Sequence, residues 1–359
     1  MHQLRVLRHY KPLIFIEKNL ILLSKANELF LYNIDTHEFK YCTKLKLSLK
    51  YAFIAKFVLL QRLLRLEFRI ACRKDNLNIL LVFKNKIYNL NLKDNNLTPE
   101  NITERPLDFS NIENLKDFDD GLYFGAYKSN LSKEPIHIWA FKKYNWEIVY
   151  TFPKGAIDHI HNLIPDPYND QIWILTGDFA GGAGIWIAKN NFSEVVPVFR
   201  GEQIYRSCVA FVIPQGLLYA TDSQMHTNSI HLIKKNEENT WALSHVADIN
   251  GSCIYGQKWQ DNYVFSTTVE PDVGEKKWSA IASLLGTKKG KGIKTNNSDI
   301  LFCDANFNIT TLQSNRKDRW PFLFQYGAVM FPKASDESDY FVFYNAALKK
   351  NTSSTEIWQ

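Results

Sequence analysis

The chain has 359 residues, 45% of them hydrophobic and 22% charged, the balance of a well-buried globule long enough for one large domain or two ordinary ones. Its net charge of +6 is mild for that length; it permits an acidic partner without demanding one, and nucleic acid is not expected. Five cysteines, Cys42, Cys72, Cys208, Cys253 and Cys303, are odd in number, widely spaced and free of any C-x-x-C, which argues against a disulfide framework or a cysteine zinc site and for a reducing compartment.

The first stretch, MHQLRVLRHYKPLIFIEKNLILL, does not read as a signal peptide, because Glu17 and Lys18 interrupt its apolar run and no small-residue cleavage site follows. No uncharged stretch reaches the roughly 18 to 20 residues that cross a bilayer. A cytoplasmic chain, meeting a membrane only at its surface if at all, is the expectation.

From Asn27 onward a hairpin recurs. NELFLYNIDTHEFKYCT (from Asn27), NKIYNLNLKDNNLTPE (from Asn85) and PIHIWAFKKYNWEIVYTF (from Pro135) alternate apolar and polar residues across Asn-, Asp- and Lys-bearing turns. GIWIAKNNFSEVVPVF (from Gly184), SIHLIKKNEENTWALSHV (from Ser229) and ILFCDANFNITTLQ (from Ile300) repeat the pattern, and STEIWQ (from Ser354) supplies a seventh first half. Two more strand candidates precede each hairpin, as HIHNLIP and QIWILTG precede Gly184. Four strands per unit every ~45 to 60 residues is the pattern of propeller blades. The expectation is an all-β, seven-bladed β-propeller over residues 1–359, with six or eight blades as alternatives. Residues 3–9 are expected to supply the outer strand that the last blade lacks, which removes an exposed edge.

Two segments break the pattern. KYAFIAKFVLLQRLLRLEFR (Lys50 to Arg69) lacks turn residues and reads as a helix inserted near 50–66, with Lys50, Lys56, Arg62, Arg65 and Arg69 as its basic residues. It either packs on the propeller or offers a basic amphipathic surface to an anionic membrane or a protein. The second insertion, 271–298, contains GTKKGKGIKTNN and reads as a loop; it is no Walker motif, since the fixed spacing ending in Gly-Lys-Ser/Thr is missing.

Innermost strands line a propeller's channel. Setting HIHNLIPD, YRSCVAFV, IYGQKWQD and QYGAVMFP side by side brings His161, Arg206, Tyr255 and Tyr326 to one height. The neighbouring strands end at Asp178, at Asp222, at Thr267 and Thr268 followed by Glu270, and at Asn345. A one-residue slip would turn each side chain to the other face. Asp178, Asp222, His161, Tyr255 and Glu270 are the catalytic candidates; Arg206, His159 and Tyr326 are the substrate-binding ones. One carboxyl can protonate a leaving oxygen while another group serves as base or nucleophile, and an arginine can hold a substrate carboxylate through paired hydrogen bonds. The bland alternatives are a turn-making Asp, a satisfied structural His and an Arg paired with Asp178 or Asp222. His159 and His161, two apart on a strand, point the same way; no cofactor is expected, a divalent metal at this pair being the lesser alternative.

The hairpin IWIAKNNFSEVV resembles those of sialidase and BNR-repeat propellers, whose Asp-box reads S-x-D-x-G-x-T-W. It keeps the aromatic residue before the last strand but not the Asp, Gly or Thr, and the Arg-Ile-Pro signature is missing; the likeness is one of blade shape over about residues 157–320. The resemblance implies a carbohydrate-active propeller, a hydrolase of glycosidase type or else a lyase, acting on an acidic glycan or sugar intermediate. The alternative is a non-catalytic propeller that binds protein or glycan, such as a scaffold for glycan assembly at a membrane.

Overall fold

The computed structural model of the chain describes residues 1–178, 180–272, 282–335 and 338–359. Their strands form seven four-stranded antiparallel sheets, and the chain is a seven-bladed β-propeller. Blade one runs Lys11–Glu17, Leu20–Lys25, Glu28–Asn33 and Phe39–Lys44; blade two runs Phe68–Arg73, Asn78–Phe83, Lys86–Asn91 and Leu97–Pro99. Blade three is Ser110–Ile112, Gly121–Gly125, Ile136–Lys142 and Asn145–Phe152. Blade four is His159–Asp166, Gln171–Gly177, Gly184–Lys189 and Glu194–Arg200, and blade five is Ser207–Ile213, Gly216–Thr221, Asn228–Lys235 and Trp241–Ile249. Blade six is Ser252–Trp259, Asn262–Thr268, Asn297–Cys303 and Ile309–Arg316. Blade seven takes Ala328–Met330, Phe341–Ala346 and Ser354–Trp358 from one end of the chain and Gln3–Arg8 from the other.

That closure is the one expected from sequence: Gln3 pairs with Trp358, Leu7 with Thr355 and Arg8 with Ser354. The His2 amide donates to the Gln359 carbonyl at 2.8 Å, and the His9 amide to that of Ser353 at 2.7 Å.

The chain divides into two compact units. One comprises Met1–Glu100, Gln224–Thr227 and Asn250–Gln359 and holds blades one, two, six and seven; the other comprises Asn101–Ser223 and Asn228–Ile249 and holds blades three to five. In the second unit, Tyr123, Ile138, Phe152, Ile160, Ile174 and Trp186 pack into one apolar cluster. The strand Gln171–Gly177 is buried along its whole length while Asn145–Phe152 is mostly exposed, so continuous apolar runs mark central strands and alternating ones mark outer strands. Polar turns are tied down by carboxylates. Asp166 accepts hydrogen bonds from the Tyr168 and Asn169 amides, the Gln171 side chain and the Trp173 indole, which makes it a structural residue.

The helical insertion is present, but as two short helices, Leu49–Ile54 and Val58–Leu64, rather than one. Phe57 between them is extended, and the break lets Ile54 and Ala55 pack on the apolar core while Arg62 turns inward. The Arg62 guanidinium reaches Asp318 at 2.8 Å and the Phe324 carbonyl at 2.7 Å. Of the five basic residues from Lys50 to Arg69, Lys50 and Lys56 are exposed, Arg62 is buried, and Arg65 and Arg69 are half-buried. Of the insertion 271–298, residues 273–281 lie outside the described residues; 282–285 form a helical turn. Among the described residues no helix is long and apolar enough to cross a membrane.

Candidate functional site

The first residues of two inner strands, and the ends of the strands beside them, gather in the second unit. His159 and His161 open blade four, Arg206 immediately precedes blade five, and Asp178 and Asp222 immediately follow the second strands of those blades. The two imidazole Nε2 atoms stand 3.0 Å apart, and each lies 3.3 Å from Asp178 Oδ1. One terminal nitrogen of Arg206 lies 3.1 Å from that same oxygen and 3.3 Å from Asp222 Oδ2. The Cys208 thiol completes the group, 3.2 Å from Asp222 Oδ2 and 3.4 Å from His161 Nδ1.

Three local features build this arrangement. The first is a β-bulge in the inner strand of blade four. His159 pairs with Gly177 and Ile160 with Thr176, but Asn162, not His161, pairs with Leu175. His161 is therefore the extra residue. It and Asn162, though successive, both reach blade five: His161 Nδ1 lies 2.8 Å from the Ser207 carbonyl and Asn162 Nδ2 lies 3.5 Å from that of Cys208. Blade five carries the same bulge, with Ser207 opposite Thr221, Val209 opposite Ala220 and Cys208 between them.

The second feature is Gly177. A Cβ there would come within 2.2 Å of His161 Cε1, so only glycine leaves room for the ring. The third is the anchoring of Asp178. Its amide donates to Asp158 Oδ2 at 3.2 Å, the Gln203 side-chain amide donates to its carbonyl at 2.8 Å, and Asp158 is itself ion-paired with Lys133.

The strand pairing corrects the side-by-side alignment read from sequence. Arg206 accepts from the Asp222 amide as His159 pairs with Gly177, so Arg206 is the counterpart of His159, and Cys208 that of His161. Asp222 accordingly matches Gly177, one residue before Asp178. His161, Asp178, Arg206 and Asp222 nevertheless meet, because the bulge swings His161 toward blade five.

Tyr255, Glu270 and Tyr326 belong to the other unit and have partners there. Glu270 is buried and accepts a 2.7 Å hydrogen bond from Ser252, and the Arg65 guanidinium lies 5.9 Å from the centre of the Tyr326 ring. Arg65 also lies within electrostatic reach of Tyr255, Glu67 and Arg69. Sequence reasoning missed Cys208 and Tyr127, whose ring centre lies 4.3 Å from that of His159 and 5.2 Å from the Arg105 guanidinium. Cys208 is an apolar-looking residue inside the run SCVAFVI, and Tyr127 lies beyond the end of its strand Gly121–Gly125, so neither carries a signal in the sequence.

Burial would raise the Asp178 carboxyl, but the His159 and His161 imidazoles beside it and the Arg206 charge outweigh it and hold the group well below the usual carboxylate range. Burial, with Asp222 beside it, pushes the Cys208 thiol well up, so it is a proton donor and not a thiolate nucleophile. Burial likewise pushes the Tyr127 phenol up. Of the six side chains Asp178 is the one that meets solvent, at 28% exposure, against 7% or less for His159, His161, Arg206, Cys208 and Asp222.

No family model and no curated protein matches the chain in sequence. Solved structures match it across its length. A chain of the mitotic checkpoint complex aligns with a TM-score of 0.57 at 10% identity, over 100% of this chain and 94% of that one. The Cps50 (Swd1) β-propeller domain of Myceliophteria thermophila aligns at 0.56 and 7% identity, over 100% and 99%. An oligogalacturonate lyase from Vibrio parahaemolyticus aligns at 0.54 and 10% identity, over 98% and 90%. At such identities the likeness is one of fold, and none of it supports the sialidase resemblance in particular.

Proposed function

We propose that the chain acts on an acidic carbohydrate as a lyase, with the cluster of blades four and five as its proton-transfer site. The observation that carries this reading is the bridging of Asp178 and Asp222 by a single guanidinium nitrogen, at 3.1 and 3.3 Å. A glycosidase needs its two carboxyls on opposite sides of a sugar, with a glycosidic bond or a water between them. Here an arginine fills that space, which disfavours the hydrolase reading. Elimination from a uronate asks for less. A base removes the proton on the carbon next to the carboxylate, that carbon's electron pair forms the new C=C bond, and the leaving oxygen departs with a proton. An imidazole of His159 or His161, steered by Asp178, suits the first step, and the solvent-facing side of Asp178 marks where substrate arrives. The fold likeness to the Vibrio parahaemolyticus oligogalacturonate lyase is compatible with this and adds no residue-level support. Incubation with a panel of uronate oligosaccharides, followed by ultraviolet absorbance of the new double bond, is the test. Activity should fall ~100-fold or more in His161→Gln, as expected for loss of a positioned base. Folded wild-type chain that eliminates none of the panel ends the reading.

A second, non-catalytic reading rests on the helical insertion. No acidic residue occurs from Phe39 to Leu66, and Lys44, Lys46, Lys50 and Lys56 are exposed. Beside them Leu49 is 92% exposed, Phe53 61% and Phe57 48%. Lysines around exposed aromatic and aliphatic side chains are the composition that docks on an anionic lipid surface. Sedimentation with phosphatidylserine vesicles should show binding at low salt that weakens as salt rises, with roughly fivefold lost for each lysine changed to glutamine. Equal recovery with neutral and anionic vesicles contradicts it.

A further inference from the structure

We propose that His159, His161 and Asp178 bind a divalent transition-metal ion through the two Nε2 atoms and one carboxylate oxygen. The argument begins with tautomers. His159 Nδ1 lies 3.1 Å from the Lys128 carbonyl, and His161 Nδ1 lies 2.8 Å from the Ser207 carbonyl. A carbonyl can only accept, so each Nδ1 carries a hydrogen. In the neutral imidazoles each Nε2 is then a bare electron pair. These two pairs face one another at 3.0 Å, and both face Asp178 Oδ1 at 3.3 Å. Apart from the Arg206 nitrogen 3.1 Å from Asp178 Oδ1, no hydrogen donor among the described residues faces these three acceptors, and the two Nε2 pairs repel each other unless something positive lies between them. Backbone carbonyls that hold Nδ1 while Nε2 points at a common centre are also the usual outer shell of metal-binding histidines.

The distances suit a shared ion. Ligand atoms ~2.1 Å from a metal and 3.0 to 3.3 Å from each other subtend roughly 90–105° at it. That is the angle of three adjacent positions in a site with further positions open, and two imidazoles with one carboxylate select ions of the zinc, iron and cobalt class. The neighbouring set of His161, Cys208 and Asp222 suits an ion less well, because His161 Nδ1 is already committed to the Ser207 carbonyl and the Cys208 thiol to Asp222 Oδ2.

Charge explains why an ion belongs there, and this step rests on the lyase reading for its substrate alone. With both Nε2 pairs on the ion neither imidazole serves as the base, which then lies outside the three ligands, and the loss of activity in His161→Gln reports a lost ligand. Two carboxylates and one guanidinium leave the cluster at net −1, which repels an acidic sugar. A divalent cation brings it to +1, matched to one substrate carboxylate at an open coordination position. Arg206, held between Asp178 and Asp222, then positions the carboxylates, and the ion takes the anchoring role that sequence assigned to that arginine.

The test uses the full chain stripped with a chelator, then titrated with Co2+ by visible absorption and with Zn2+ by calorimetry. We expect one equivalent bound per chain, with affinity lowered about a hundredfold or more in His159→Gln and in Asp178→Asn, and unchanged in His245→Gln, a surface control. Circular dichroism establishes that each variant folds. Gly177→Ala, which leaves all three ligands in the chain but drives a methyl into the His161 ring, should lose binding as well. Absence of saturable binding by the wild type, or binding that survives the ligand variants, overturns the proposal. Elimination activity without metal binding would sink this inference alone; metal binding without elimination across the uronate panel would sink the lyase reading alone.

Discussion

Arg206→Met should destabilise the chain by about 3–5 kcal/mol, the usual result of removing one partner from a buried ion cluster. The guanidinium is the cation that stands between Asp178 and Asp222, and Asp222 is only 2% exposed. Without it the Cys208 thiol, 3.2 Å away, is the hydrogen-bond donor to Asp222 that remains, and the other oxygen of that carboxylate is buried with no hydrogen-bond partner among the described residues. Methionine fills a similar volume, so the loss reports charge more than packing. Asp222→Asn removes the stranded charge, and the double variant Arg206→Met/Asp222→Asn should regain most of the stability. Denaturant unfolding of the four proteins, stripped of metal, gives the coupling directly. A single variant within ~0.5 kcal/mol of wild type would mean that the three groups are not coupled in the folded chain.

Removing residues 1–9 should cost about as much, by a different route. The strand Gln3–Arg8 supplies the whole outer edge of blade seven, and Leu7, 7% exposed, packs with Phe15, Ile21, Val342 and Ile357. Loss of one buried leucine alone costs about 2–5 kcal/mol. The truncation also strips the ladder from Ser354–Trp358 and bares it as an edge, so aggregation on heating should accompany a fall of several degrees in the melting midpoint. A synthetic peptide of residues 1–9, added in excess, should restore part of the loss. A truncated chain that melts like the full one would show that this strand contributes nothing to the fold's cohesion.

The blades were legible because a pleated strand writes its alternation into the chain. Hairpins such as Ile136–Lys142 with Asn145–Phe152 alternate across a polar turn, and the completion of blade seven by Gln3–Arg8 follows from the missing strand. The helical insertion was legible as helix but not as two helices, because its break is set by what Ala55 and Arg62 touch far along the chain, not by a proline or glycine. At the site, Asp178 and Asp222 were legible as charges at strand ends. The matching of His161 to Arg206 failed by two residues, since nothing in HIHNLIPD or YRSCVAFV marks which residue faces Gly177 or Asp222 across the ladder; that is a property of pairing, and pairing is non-local.

The bulge at His161 also insulates. Past His161 the inner strand of blade four resumes ordinary alternation, with Leu163 in the apolar cluster shared with blade three and Ile164 in the one shared with blade five. The extra residue absorbs a one-step phase difference, so the chemistry at the strand's head and the packing along its body run on separate clocks. Substitutions at His159 and His161 can accumulate without putting Leu163 out of step, and the reverse holds too. A chain built this way can change what it reacts with while keeping the blade that carries it.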